Sequence, residues 1–263
     1  MKSFEFHRPQ SVADAVALLQ GNASAKLLAG GQSLIPVLKL DLAQPEGLVS
    51  LAAIRGLKEI RDGDPMVIGA LATHDEVASS PVVRQRIPGL ATVAGGIGDA
   101  QVRNRGTLGG SLGHADPAAD YPAAVLALGA TVETDRRRIA ADDYFTGLFS
   151  TALAEDEVIV AVHFPVPQCS AYAKFASPAS KYAVAGVMVA KTAGGVRVAV
   201  TGAGLNAFRV PAWEAALAAS FSPDSIDPGA VSPADLRSDA EASAEYRAHL
   251  VTVLARRAVQ ACR

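Results

Sequence analysis

Apolar and polar positions change period several times along the chain, and each change marks an element. In SVADAVALLQ the apolar residues fall at helical spacing, with Ser11 and Asp14 marking the start and Gly21 the end. KLLA (26–29) is a short apolar run that predicts a buried strand. Pro36 beyond it suits a first helical turn continued by LKL. LVSL (48–51) and MVIG (66–69) read as further strands. Thr73 is placed to cap HDEVASS, and residues 81–96 hold two more helical stretches. YPAAVLALG is an apolar helix ended by Gly129, and TVETD and EVIVAVHF are strands, the second closed by Pro165 and Pro167. KYAVAGVMVAK and GVRVAVTG alternate as strands do and meet at Gly194-Gly195, a hairpin turn. A helix near 211–219, a Pro/Asp/Ser-rich connection over 222–239 and a last helix from about 240 follow. Arg256, Arg257 and Arg263 are expected at that helix's C-terminal end, where the dipole favours cations. The class is α+β. The proline pair sets a boundary between residues 1–166, in two lobes split near 55–60, and a C-terminal lobe, 167–263.

Composition narrows the partners. The chain has 263 residues, half of them apolar, enough for a sizeable core in more than one domain. With 24 basic and 26 acidic side chains the net charge is −2, which argues against nucleic acid or an anionic membrane as the main partner. MKSFEFHRPQ lacks the apolar stretch of a signal peptide, and no apolar run approaches the roughly 20 residues that cross a bilayer. A cytoplasmic location is therefore expected. Cys169 and Cys262 form no CxxC pair, which excludes a zinc or iron–sulfur site made by this chain alone. They are expected as free thiols in a reducing compartment.

The candidate chemistry lies in two glycine-rich loops, AGGQS (29–33) and TLGGSLGHADPAAD (107–120). Glycine clusters let backbone N–H groups approach an anionic ligand closely. Each loop also carries hydroxyls: Ser33 in the first, Thr107 and Ser111 in the second. The pair suggests one ligand with two phosphates, a dinucleotide, held by the N–H groups of Gly30 to Ser33 and of Gly109 to Ser111. Spacing alone leaves open that both are only tight turns. Two other motifs compete. Gly109-Gly110-Ser111-Leu112-Gly113 matches a nucleophile elbow, but its approach is polar QVRNRGT and its exit HADP disfavours a helix. Gly202-x-Gly204-x-x-Ala207 matches a dinucleotide fingerprint, but Pro211 would interrupt the helix that motif requires.

LLAGGQSLIPVLKL (27–40) and QVRNRGTLGGSLGHADPAAD (101–120) closely resemble the FAD-binding medium subunit of molybdenum hydroxylases. YAKFASPASKYAVAGV (172–187) and VAVTGAG (198–204) extend the resemblance over essentially the whole chain. It implies a vanillyl-alcohol-oxidase-type (PCMH-type) FAD-binding fold over 1–166 and a C-terminal flavoprotein lobe of the carbon monoxide dehydrogenase type. It also implies non-covalent FAD in this chain. Molybdopterin would lie on a large subunit and two [2Fe-2S] clusters on a small one, with a dimer of heterotrimers as the assembly. FAD here would take electrons from the clusters and pass them to a terminal acceptor, while the substrate is oxidised elsewhere.

Carried over residue by residue, the resemblance places Leu27, Leu28, Ala29, Gly30, Gly31, Gln32, Ser33 and Leu34 around the pyrophosphate and ribityl chain. Thr107, Leu108, Gly109, Gly110 and Ser111 form the second wall, and Ile97, Gly98 and Ile159 lie along the cofactor. Asp120 approaches the adenosine half, Lys174 the flavin ring and Tyr182 the isoalloxazine. No catalytic residue or metal ligand is expected. Read as alternatives, Lys174 is a surface lysine, Tyr182 a core aromatic, and His74 and His114 ordinary polar neighbours of the loops. The rival functions are a stand-alone FAD oxidoreductase of this fold and a non-enzymatic flavoprotein. The residues do not name the substrate or the acceptor.

Overall fold

Three larger sheets, one two-stranded sheet and the helices between them form three apolar cores among the described residues of the computed structural model, which covers residues 2–262. The first region runs β1 (Glu5–His7), α1 (Val12–Gly21), β2 (Lys26–Leu28), α2 (Leu34–Lys39) and β3 (Gly47–Ser50). Its strands pair in parallel in the order β1-β3-β2. Ser11 caps α1 by accepting from the Asp14 amide, and Ala15 and Leu19 turn into the core against Val49. β2 is half-buried to exposed rather than buried, because it is the edge strand and borders an open cavity.

The second region follows as β4 (Ile60–Arg61), β5 (Met66–Gly69), α3 (His74–Ser79), α4 (Pro81–Arg86), α5 (Pro88–Gly95), α6 (Ala100–Arg103), α7 (Leu108–His114) and α8 (Tyr121–Leu128). It continues with β6 (Thr131–Thr134), β7 (Arg138–Ala140), α9 (Ala141–Tyr144), β8 (Phe145–Gly147), β9 (Ser150–Thr151) and β10 (Ile159–Phe164). β4-β5-β10-β6-β7 form an antiparallel sheet. Every residue of α8 is buried, as its uninterrupted apolar sequence requires, and Gly129 ends it in the left-handed region.

The third region holds β11 (Cys169–Ala176), β12 (Ala183–Thr192), β13 (Gly195–Thr201), β14 (Phe208–Arg209), α10 (Pro211–Ala219) and α11 (Ala244–Ala261). Its antiparallel sheet packs α10 and α11 on one face through Trp213, Val251 and Ala255. Met188, Ala190 and Ala199 join the core around α8. Arg247, fully buried, fastens α11 to the sheet by donating to the Val184 and Gly202 carbonyls and to both oxygens of Asp239.

Several expectations change. The second glycine segment is not a loop: Thr107 caps it and Leu108–His114 is helical, so Ser111 sits inside a helix rather than on a strand-to-helix elbow. Gly202 ends β13 with φ +81 and leads to the short β14, and the helix starts only at Pro211, so no dinucleotide fingerprint forms there. Arg256 donates to the Ile226 carbonyl, and no basic residue lies in the last turn of α11. Arg263 lies outside the described residues. Cys169 and Cys262 are not free thiols. They form a disulfide, Cα–Cα 5.4 Å, because α11 returns to the edge strand on which Cys169 sits. That pairing removes the thiol-based argument for a reducing compartment. No helix among the described residues is long and apolar enough to cross a membrane.

Candidate functional site

A cavity of about 600 Å³ opens where the three regions meet, within the size range of cofactor sites. The first glycine segment crosses it as a tight turn between β2 and α2. Gly31 has φ +74, a left-handed conformation that glycine adopts without strain. Gly30 is pressed so closely on the second segment that a Cβ there would run into the Arg105 carbonyl. The amides of Gly30, Gly31, Gln32 and Ser33 make no hydrogen bond among the described residues, leaving consecutive donors for an anion.

The second segment works differently from the expectation. The amide of Gly109 donates to Ala70 O (2.8 Å), that of Gly110 to Thr107 Oγ1 (3.1 Å) and that of Ser111 to Thr107 O (3.0 Å). These N–H groups are consumed by the helix and by its seam with the strand end, so they do not form a second free cradle. The segment instead gives a close, small-residue wall and the Ser111 hydroxyl, which has no partner among the described residues.

Leu27, Ala29, Gly30, Gly31, Gln32, Ser33, Leu34, Ile97, Gly98, Thr107, Gly109, Gly110, Ser111, Asp120, Ile159 and Tyr182 all face the cavity. Leu28, Leu108 and Lys174 do not. Leu108 is fully buried in the central core, and Leu28 leans toward the Gly31 turn from β2.

Lys174 stands on the edge strand β11, but its side chain is only 10% exposed and is not on the cavity wall. Its Nζ lies 2.9 Å from the Asp120 carboxylate and 2.9 Å from the Gly96 carbonyl. Tyr172 donates to the same carboxylate at 2.6 Å. Burial pushes the Asp120 carboxyl above its ordinary value, opposed by the Lys174 cation and the Tyr172 hydroxyl. Tyr182 lines the cavity with Ser33, which stands on the first glycine segment. Burial first and the Asp116 carboxylate second push the Tyr182 phenol up. Asp116 accepts from the Ala118 amide (2.8 Å), and His114 rests on Phe149 with ring centroids 5.2 Å apart.

One constellation gave no motif signal. Glu157, its side chain fully buried in the cavity wall, accepts two hydrogen bonds from Arg137 (2.8 and 2.7 Å), one from Thr134 (2.8 Å) and one from the Ala154 amide (2.9 Å). Arg137 also holds the Ala152 carbonyl (2.6 Å), so the pair braces the turn that closes one end of the cavity. Chiefly through Arg137, the Glu157 carboxyl is lowered from 4.5 to about 2. A lowered folded-state pKa stabilises fully above the unfolded value and is lost as pH falls through the folded one. Glu157→Gln should therefore lower the unfolding midpoint at neutral pH, and its deficit should shrink between about pH 4.5 and 2. Parallel acid profiles for the two proteins would show that the brace contributes nothing.

Residues 2–167 match the family model described as the FAD binding domain in molybdopterin dehydrogenase. The chain is 39% identical over 276 residues to the nicotine 6-hydroxylase medium subunit of Paenarthrobacter nicotinovorans, covering 98% of this chain and 97% of that one. It is similar to the carbon monoxide dehydrogenase medium chain of Hydrogenophaga pseudoflava, 36% identical over 98% of this chain and 96% of that one. A solved carbon monoxide dehydrogenase chain from Hydrogenophaga pseudoflava superposes with a TM-score of 0.92, at 38% identity over 99% of this chain and 97% of that one. A chain of quinoline 2-oxidoreductase from Pseudomonas putida 86 does so with 0.90, at 29% identity over 99% and 98%. The turn with four free amides, set against a close second segment in a cavity of cofactor size, fits FAD. The chain belongs to the family of FAD-binding medium subunits of the molybdenum hydroxylases.

Proposed function

We propose that this chain is the electron outlet of a molybdopterin-dependent dehydrogenase. It takes electrons from the [2Fe-2S] clusters of a small subunit and passes them to a terminal acceptor, while a large molybdopterin subunit oxidises the substrate. Bound FAD supplies the redox chemistry. The chain's own work is to hold and shield it. The free amides of Gly30 to Ser33 would hold the diphosphate, the Ser111 hydroxyl would add a further donor, and Tyr182 lines the same cavity. Asp120, fixed by Tyr172 and Lys174, presents a carboxylate edge to the cavity wall. The observation that carries this reading is the paired glycine segments in one cavity, joined to full-length similarity with medium subunits of multi-subunit enzymes. We read the assembly as a dimer of heterotrimers and the chain as dividing at 166/167.

Purification through a tag on this chain should bring down both partner subunits, and acid precipitation should release FAD, not FMN, into the supernatant. When the clusters of the complex are reduced, flavin absorbance near 450 nm should bleach in the same preparation. Flavin that stays oxidised beside reduced clusters would end the electron-outlet reading. Flavin retained in the acid pellet would contradict non-covalent binding.

A further inference from the structure

His74 stands at the first position of α3, where the capping box of Thr73 and Glu76 fixes the helix start. Its amide donates to the Gly106 carbonyl at 3.0 Å, which ties it to the approach of the second glycine segment. The residue is only 5% exposed, yet it lines the cofactor cavity. Its Nδ1 is sealed from solvent without a partner among the described residues, and so is the hydroxyl of Tyr121, whose ring lies 5.3 Å away. Nε2 also makes no hydrogen bond among the described residues, but it is not among the sealed atoms. It lies over Gly106, where a Cβ would collide with it, and Gly106 in turn borders Gly30. The open nitrogen is thus at the seam between the two segments.

A buried imidazole with neither nitrogen satisfied is costly unless a ligand completes it. Burial first and the Arg103 cation second lower its pKa to about 4, so the ring is neutral at pH 7 and carries one N–H. A proton on Nδ1 would be a sealed donor without an acceptor. The better place for it is Nε2, facing the cavity.

We propose that His74 is a cofactor-binding residue, its Nε2–H donating to a phosphate oxygen of the bound FAD where the two glycine segments meet. This builds on the FAD site described above and adds a side-chain donor to the free amides of Gly30 to Ser33.

Glutamine places its amide nitrogen near the position of Nε2, and asparagine near that of Nδ1. In the full-length chain, His74→Phe should weaken FAD about 10- to 150-fold, the range for one hydrogen bond to a charged group. His74→Asn should weaken it similarly, and His74→Gln should bind close to wild type. Riboflavin, which has no phosphate, should bind all four proteins alike, and thermal unfolding without flavin should show that each is folded. Rescue by asparagine instead of glutamine would assign the role to the sealed Nδ1 and overturn the proposal. So would equal FAD affinity in all four proteins, or a loss of riboflavin binding that matches the loss of FAD.

Discussion

Gly30→Val should leave the chain without FAD. The added Cβ meets the backbone of Arg105 and Gly106, not a side chain that can swing away, so the two glycine segments must part. Forced shifts in well-packed regions cost about 1–3 kcal/mol or more, and here the displaced parts are the walls of the diphosphate site. Gly31→Val fails for a second reason, since φ +74 is a region that branched residues strongly avoid. Ser33→Ala removes one hydroxyl and should only weaken binding, by about 10- to 150-fold at most if the bond is to phosphate. The flavin-to-protein absorbance ratio decides the matter. Full occupancy in Gly30→Val would mean that the cofactor does not lie along this seam.

The second large effect concerns Lys174. Its ammonium is buried against Asp120, with side-chain exposures of 10% and 4%. Removing one partner of a buried pair costs about 3–5 kcal/mol, because the other charge is left uncompensated. Lys174→Met should therefore lower stability by about that amount, and Asp120→Asn in the same chain should restore part of it. The cation is already neutralised by Asp120, so the flavin potential should move little. Urea unfolding curves that coincide with wild type would refute the pairing. A large fall in potential without loss of stability would return Lys174 to the ring-side position that the family resemblance implied.

Elements with strong local signals were legible from residues alone. Ser11 and Asp14 mark the start of α1, MVIG is β5 to the residue, and Gly129 stops α8. Pro211 opens α10, as proline does at a first helical turn. The edge strands were not legible. EFH, IR and RIA are too short or too polar to alternate, and they exist only because a neighbouring strand completes their hydrogen bonds. Glycine-rich composition also concealed α7, whose helix is imposed by the Thr107 cap and by packing on Ala70.

At the site, the cavity-facing residues of both glycine segments were readable because their small size is itself the requirement. What those residues do with their amides was not. The use of the Gly109 amide by Ala70 is set by a strand end far away in sequence. The same distance hid Asp120 with Lys174, Glu157 with Arg137, and the cysteine pair, each joined across 20 to 93 residues.

The cysteine pair has a topological consequence. With Cys169 at the start of β11 and Cys262 just past α11, the disulfide closes almost the entire C-terminal region into a covalent ring. The exposed connection that follows α10, with its three short turns at Pro223, Pro228 and Pro233, lies inside that ring. A protease that cuts there opens the ring without releasing a piece. The nicked chain would migrate as one species until a reductant separates it into two.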